Sequence, residues 1–96
     1  MDEKIQAAVQ QCVEKHFVTA EEIEAIVDHV HFWHVPDTTM TVCCLVLTNG
    51  FTILGQSSCF DPSSFDAVLG EKFAHGDAVS KVGRFLAFMA RSQAQG

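Results

Sequence analysis

The residues best suited to chemistry lie in a short loop between an apolar run and the start of a helix. The loop, Gly55-Gln56-Ser57-Ser58-Cys59-Phe60, offers backbone amides and two hydroxyls, which can hold an anion at a helix N-terminus. Nearby phenylalanines can stack on a base, and cations of a later helix can meet a phosphate across a subunit interface. The ligand-binding residues predicted in this way are Phe51, Ser57, Ser58, Phe60, Lys81, Arg84 and Arg91.

A structural role is the alternative for each of these residues. The serines can satisfy a helix cap, the phenylalanines can fill the core, and the three cations can be solvated. The hypothesis of a ligand therefore depends on the joint occurrence of hydroxyls, aromatic rings and cations.

Two groups of residues resemble a metal site or a catalytic site without completing one. His29, His31 and His34 lie near Asp28, but their spacing matches no closed zinc set, and a solvated or core-edge cluster is the simpler interpretation. Cys59 lies in a loop close to the predicted start of a helix, a position typical of reactive thiols, yet no base is identifiable for it. We therefore expect no catalytic residues, no bound metal, no cofactor and no enzymatic activity.

The composition fits a single domain with an acidic N-terminal part. The chain has 96 residues, 48% of them hydrophobic, and a net charge of −6. Residues 1–30 hold seven acids against two bases, and the basic patch typical of a DNA-binding domain is missing. No apolar run approaches the roughly 18 residues of a membrane span, no signal peptide is recognisable, and the four cysteines lack CxxC spacing, which fits reduced thiols. We expect one domain over residues 1–96 in the cytoplasm, with no membrane and no direct binding of DNA.

Local patterns predict two N-terminal helices. Apolar residues at helical spacing predict the first over residues 3–16. Thr19 and Glu22 have the spacing of a capping box and predict a second helix that continues to about Val30.

The segment from His31 to Thr39 is predicted to be a connection. Pro36 disfavours helical backbone at the residue before it. Phe32 and Trp33 are expected to fill one end of the core.

The strongest local signal is a β-hairpin around Asn49-Gly50. Asn-Gly between apolar runs is typical of a two-residue turn, so strands are predicted at about 40–48 and 51–57, with Leu47 opposite Thr52. Both faces of the first strand are apolar, a pattern typical of a strand covered on both sides. We expect helices to cover one face and a second copy of the chain to cover the other face or to extend the sheet edge, giving a dimer or higher oligomer of α+β fold.

A long C-terminal helix is predicted from Asp61-Pro62 to about Ser92. Asp followed by Pro is a common helix start, and His75-Gly76-Asp77 is the expected kink or break. The apolar stripe of this helix is predicted to be Phe65, Leu69, Phe73, Val79, Val82, Leu86 and Met89.

The central part of the chain also carries short motifs in a fixed order. They are Asn49-Gly50-Phe51, Gly55-Gln56-Ser57-Ser58-Cys59, Asp61-Pro62, Phe65-Asp66, Gly70-Glu71-Lys72-Phe73-Ala74 and Ala78-Val79-Ser80-Lys81. In this order they resemble a family of small tailed-phage proteins, over residues 40–82 and more loosely over residues 19–31. Most members of that family have no known activity.

The family that the chain resembles includes or neighbours the Thoeris anti-defence proteins. Those proteins sequester cyclic ADP-ribose-type or cyclic-oligonucleotide immune signals in pockets of a dimer or larger assembly. The resemblance implies a phage counter-defence protein in the host cytoplasm that binds a cyclic nucleotide-type signal without cleaving it. The chain departs from the family pattern at Val82–Leu86, where relatives have an Ile-Trp-Pro-Leu-like segment, and at Glu71, which is not a base. Both departures weaken a phosphate site taken over from the family.

The acidic N-terminal part supports a second hypothesis. Residues 1–30 carry −5 of the net charge of −6, and an acidic surface can mimic nucleic acid and attract basic partners. The alternative function is therefore a phage inhibitor that binds a host defence protein, such as a CRISPR or restriction component, through an acidic helical face with Glu21, Glu22 and Glu24.

Overall fold

A three-stranded antiparallel sheet and a long helix packed across it form the two main layers of the chain. We used a computed structural model, which describes residues 2–95. The strand order is β1-β2-β3, and α1 and α2 pack on α3, which confirms the predicted α+β class. The elements are α1 (Glu3–Lys15), α2 (Ala20–Glu24), β1 (Val27–His34), β2 (Met40–Leu47), β3 (Thr52–Ser58), a 3-10 turn (Pro62–Ser64) and α3 (Ala67–Gln95).

The two N-terminal helices begin where their caps predict. Asp2 accepts hydrogen bonds from the first amides of α1, and α1 ends at His16, whose left-handed backbone (φ 69°) is a common helix terminus. The capping box of Thr19 and Glu22 is present at the start of α2. The predicted second helix is too long, because α2 ends at Glu24.

The prediction for residues 25–34 was wrong, whereas residues 35–39 form a connection as predicted. Instead of a helix end and a connection, Val27–His34 forms β1, which pairs antiparallel with β2. Trp33 is 59% exposed and Phe32 is 40% exposed, so neither fills the core. The physical reason is tertiary: valines and aromatic residues favour strands, and β2 offers a complete hydrogen-bonding edge that outweighs the local helical spacing.

The hairpin strands are confirmed, but their register is shifted by one residue. The Gly50 amide donates to the Leu47 carbonyl at 2.8 Å, and the Leu47 amide donates to the Phe51 carbonyl at 2.8 Å. Thr52 therefore lies opposite Val46, not opposite Leu47. Gly50 has a positive φ of 86°, as in a three-residue loop that ends in a left-handed residue.

The faces of β2 alternate as predicted. Cys43, Leu45 and Leu47 are buried beneath the helices, while the residues between them are half-buried on the opposite, open face. The open face also carries Trp33 of β1 and Leu54 of β3, because each lies opposite an open-face residue of β2. Coverage of this face by a second copy stays a prediction.

The C-terminal helix differs from its prediction in its start, its break and its buried face. Asp61 caps the separate 3-10 turn, and α3 then runs without interruption through Gly76. Leu69 and Phe73 of the predicted stripe are exposed. The buried face of α3 consists of every fourth residue: Gly70, Ala74, Ala78, Val82, Leu86 and Ala90.

Small residues face the sheet because α3 lies unusually close to β3. A Cβ atom on Gly55 would overlap the backbone of α3 at Ala74 and Ala78. Glycine at position 55 and alanines on α3 are therefore the residues that permit this packing. No helix within residues 2–95 combines the length and the apolar character needed to cross a membrane.

Two glycine substitutions test this close approach. We expect Gly55→Ala to lower the free energy of unfolding by at least about 2 kcal/mol, because overpacking against a backbone forces the helix away. The matched control is Gly76→Ala, where a Cβ meets no atom within 4 Å, and it should raise stability by about 0.5–1 kcal/mol because alanine favours the helix. Urea denaturation measures both, and a Gly55→Ala variant as stable as the parent would contradict the packing.

Candidate functional site

A groove of about 660 Å³ lies between the first half of β3 and the outer face of α3. On α3 its lining residues follow helical spacing, at positions 81, 84, 85 and 88, so they form one face of the helix. The complete lining is Phe51, Thr52, Ile53, Leu54, Lys81, Arg84, Phe85 and Phe88. Three of the seven predicted ligand-binding residues, Phe51, Lys81 and Arg84, meet here.

The wall of the groove is aromatic and exposed. Phe51 and Phe85 pack edge to face, with ring centroids 6.0 Å apart and ring planes 75° apart. Phe88 is 72% exposed and Phe51 is 54% exposed. Exposed phenylalanines gathered at a concave surface are typical of a binding site rather than of a solvated surface.

Lys81 is fixed at the bottom of the groove by two contacts. Its Nζ donates to the Leu54 carbonyl at 2.9 Å and forms an ion pair with Asp77 Oδ2 at 3.2 Å. The Gln56 amide donates to the same Asp77 oxygen at 2.9 Å. These contacts hold Lys81 in place but compensate part of its charge.

Asp77 stabilises this arrangement as an ionised carboxylate. The hydrogen bond from the Gln56 amide is the main cause of its lowered pKa, followed by the hydrogen bond and charge of Lys81 and the charge of Arg84. Asp77 lies within the continuous helix α3, where a kink or break was expected, and joins α3 to the edge of β3.

Arg84 is the cation of the groove that is available to a ligand. It is exposed, and it forms no ion pair with any residue between positions 2 and 95. A guanidinium binds a phosphate or carboxylate through two parallel hydrogen bonds. The groove therefore joins aromatic stacking surfaces to an uncompensated positive charge.

The other predicted ligand-binding residues lie outside the groove. Ser57 and Ser58 line a separate cavity of about 150 Å³ near the start of α3. The first amides of α3 there are already occupied, because Asp66 Oδ1 accepts from the Val68 and Leu69 amides.

Phe60 and Arg91 also stand apart. The Phe60 side chain is fully exposed and lines neither cavity. Arg91 is exposed on α3, about two turns beyond Arg84, and is absent from the groove lining.

Phe85 and Phe88 are the lining residues that sequence reasoning missed. They follow Lys81 and Arg84 at spacings of three and four residues, which places all four on one helix face. That periodicity was visible in the sequence, but it becomes informative only once the opposite face of α3 is known to be the buried one.

The histidine cluster is divided by the strand. His29 and His31 lie on the open face of β1, with ring centroids 6.2 Å apart. His34 lies on the other face, where it stacks on Phe65 at 4.9 Å and its Nε2 bonds to the Thr38 carbonyl at 2.7 Å. In the described part of the chain no three His, Cys, Asp or Glu side chains are grouped so that they could hold a metal ion.

The cysteine and glutamate candidates have structural surroundings. Burial is the main cause that raises the pKa of the Cys43 thiol to about 11, so Cys43 is protonated at neutral pH. Glu22 caps α2 and pairs with Lys15 at 2.7 Å, and Glu24 pairs with His75 at 2.9 Å. Two of the three glutamates of the predicted acidic docking face therefore already have internal partners.

A comparison with protein families gives a match over most of the chain. The model of a family described as "Phage protein (N4 Gp49/phage Sf6 gene 66) family" matches residues 18–94, which include the sheet, the groove and nearly all of α3. No curated protein and no solved structure matches the chain. The match confirms the resemblance to a phage protein family, and the description of that family states no activity.

An Asp77→Asn substitution tests the link between α3 and β3. The pKa of Asp77 is lower in the folded than in the unfolded chain, so its stabilisation is fully present above about pH 4 and is lost as the pH falls through the lowered folded-state pKa. We expect Asp77→Asn to cost on the order of 0.5–1 kcal/mol at pH 7, as for a partly exposed ion pair, and nothing at the lowest pH.

Urea denaturation between pH 2 and pH 7 measures this difference. Glu71→Gln is the matched control, because Glu71 lies on the same helix and its side chain forms no hydrogen bond or ion pair with the described residues. It should change the free energy of unfolding little at any pH. A cost of Asp77→Asn that is the same at every pH would show that the carboxylate charge does not act here.

Proposed function

The chain belongs to the phage protein family of N4 Gp49 and phage Sf6 gene 66, and we propose that it serves the phage as a counter-defence protein. It sequesters a cyclic nucleotide-type immune signal by non-covalent binding in the groove between β3 and α3. The ligand is a small anion with at least one aromatic base.

The observation that carries this proposal is the pairing of exposed aromatic rings with an uncompensated cation. Stacking of a base on an aromatic side chain contributes about 1–3 kcal/mol, and Phe51, Phe85 and Phe88 offer such surfaces. Arg84 supplies charge-assisted hydrogen bonds to a phosphate. The groove volume of about 660 Å³ lies within the roughly 300–1,000 Å³ of small-molecule sites.

The lining favours binding over catalysis. Among its eight residues there is no carboxylate, histidine or cysteine, and the lysine is held by Asp77 and the Leu54 carbonyl. A general acid or base needs a titratable group within hydrogen-bond reach of the reacting atoms. A ligand in this groove is therefore held without chemical change.

The resemblance to the Thoeris anti-defence proteins supports a signal of the same chemical class but not the same contacts. The departure at Val82–Leu86 includes Arg84 and Phe85 of the groove. Glu71 lies outside the groove. We therefore expect a ligand preference that differs from that of relatives with the Ile-Trp-Pro-Leu-like segment.

The alternative function, inhibition of a host defence protein through the acidic face, has weaker support. Glu22 belongs to the capping box of α2 and forms an ion pair with Lys15, and Glu24 Oε1 lies 2.9 Å from His75 Nε2. Of the three glutamates in the predicted acidic face, Glu21 is exposed and forms no ion pair with the described residues.

Thermal shift with a panel of cyclic ADP-ribose-type, cyclic dinucleotide and cyclic trinucleotide compounds tests the function. We expect at least one compound to stabilise the protein, by about 2.7 kcal/mol at a hundredfold excess over Kd, and to be recovered intact by chromatography. Arg84→Gln and Phe88→Ala should each weaken its binding about tenfold or more, which corresponds to roughly 1.4 kcal/mol.

Arg91→Gln is the matched control for Arg84→Gln. It removes the same charge from the same helix outside the groove, so affinity should stay within about twofold of the parent. No stabilisation by any compound of the panel, or equal losses in Arg84→Gln and Arg91→Gln, would argue against binding in this groove.

A further inference from the structure

The two edges of the sheet are treated differently by the fold. At β3, Lys81 and Asp77 occupy the outward backbone groups of Leu54 and Gln56, so α3 closes this edge. At β1 no hydrogen bond outside the pairing with β2 involves the backbone of Val30 or Phe32 among residues 2–95. The eight residues of β1 therefore form the open edge of the sheet.

The antiparallel pattern shows which groups of β1 face outward. Leu54 and Gln56 direct their backbone groups away from β2. Their partners on β2, Cys44 and Val42, therefore direct their own amides and carbonyls away from β3 and bond to His31 and Trp33 of β1. Backbone groups alternate in direction along a strand. The amides and carbonyls of Val30, Phe32 and His34 are consequently the unpaired ones.

Apolar side chains flank this open edge on both faces. Val30 and Phe32 lie on the helix side and are about 40% exposed, and Trp33 lies on the open face and is 59% exposed. A long edge strand with exposed apolar residues associates with another strand unless it is blocked.

We propose that the open edge of β1 pairs antiparallel with the same edge of a second copy of this chain, forming a continuous six-stranded sheet. The two-fold axis passes beside His31, which lies opposite His31 of the second copy. In this register Val30 lies opposite Phe32 of the second copy, so the outward backbone groups of these two residues bond to each other. Symmetric pairing of one surface with itself is the usual geometry of a dimer.

Apolar and backbone complementarity select a second copy and this register. A register shifted to place Phe32 on the axis pairs Phe32 with its own copy and sets Val30 opposite His34, so it has one apolar pair instead of two. A stable dimer buries at least about 1,200 Å², and each buried aromatic residue contributes about 150–250 Å². Phe32 is 40% exposed and Trp33 is 59% exposed, so the exposed parts of two copies of each supply roughly a third of that area.

The dimer leaves both grooves free. Each groove lies between β3 and α3, on the side of the sheet opposite β1, so the two grooves lie at the far ends of the six-stranded sheet. This differs from the expectation that a ligand bridges two subunits. Dimerisation and ligand binding can therefore fail independently.

A charge exchange at position 31 tests the pairing. His31 is exposed on the open face, and like charges directly opposite each other across two strands are destabilising. In sedimentation equilibrium at tens of micromolar, the parent protein should have twice the chain mass of 10.5 kDa. A dimer of modest affinity has a Kd of about this concentration. His31→Lys and His31→Asp should each raise the dimer Kd about tenfold or more, and their equimolar mixture should restore the dimer.

Matched controls and a second measurement separate this result from misfolding. Gln56→Lys and Gln56→Asp place the same charges on the exposed face of the closed edge strand and should leave the dimer unchanged. Amide hydrogen exchange of the parent should show protection of Val30 and Phe32 that increases with protein concentration. The proposal is overturned if the parent protein is monomeric at about 100 µM, a concentration that detects even a weak dimer. It is also overturned if the His31 variants dimerise like the parent, or if amide exchange at Val30 and Phe32 does not depend on protein concentration.

Discussion

The close packing of α3 against β3 is the contact on which the rest of the structure depends. Gly55 has no side chain, so the backbone of α3 at Ala74 and Ala78 can lie directly against the strand. At this short separation Asp77 and Lys81 reach the outward amide and carbonyl groups of β3. A single contact therefore builds the core and closes one edge of the sheet, and it leaves the other edge open.

The same contact explains why a small chain displays so much aromatic surface. Val82, Leu86 and Ala90 occupy the buried face in this part of α3, so Phe85 and Phe88 point away from the sheet and meet Phe51 at the end of the hairpin. Exposed apolar surface of this kind is costly in water unless a ligand or a partner covers it. The uncompensated charge of Arg84 beside the rings favours an anionic aromatic ligand over a purely apolar one.

Local signals predicted the parts of the fold that depend on few neighbours. The capping box at Thr19, the extent of α1 and the two hairpin strands were predictable because caps and turns act over three or four residues. The strand at residues 27–34 was not, because its partner β2 lies further along the chain and its residues also fit helical spacing. Part of the buried face of α3 was missed for a related reason: Val82 and Leu86 were predicted, but alanines such as Ala74 become core residues only because Gly55 lies opposite them. The cations and Phe51 of the groove were predicted from residue type, whereas Phe85 needed the orientation of α3.

Chemical-shift mapping with a cyclic nucleotide that stabilises the protein is the most direct test of the central claim, that the groove between β3 and α3 is the ligand site. Titration of isotopically labelled protein should shift the amide signals of residues 51–54 and 81–88 in a saturable manner, with little change at residues 57–60 and at the start of α3. Shifts centred on residues 57–60 and the first turn of α3, or confined to β1, would contradict the account.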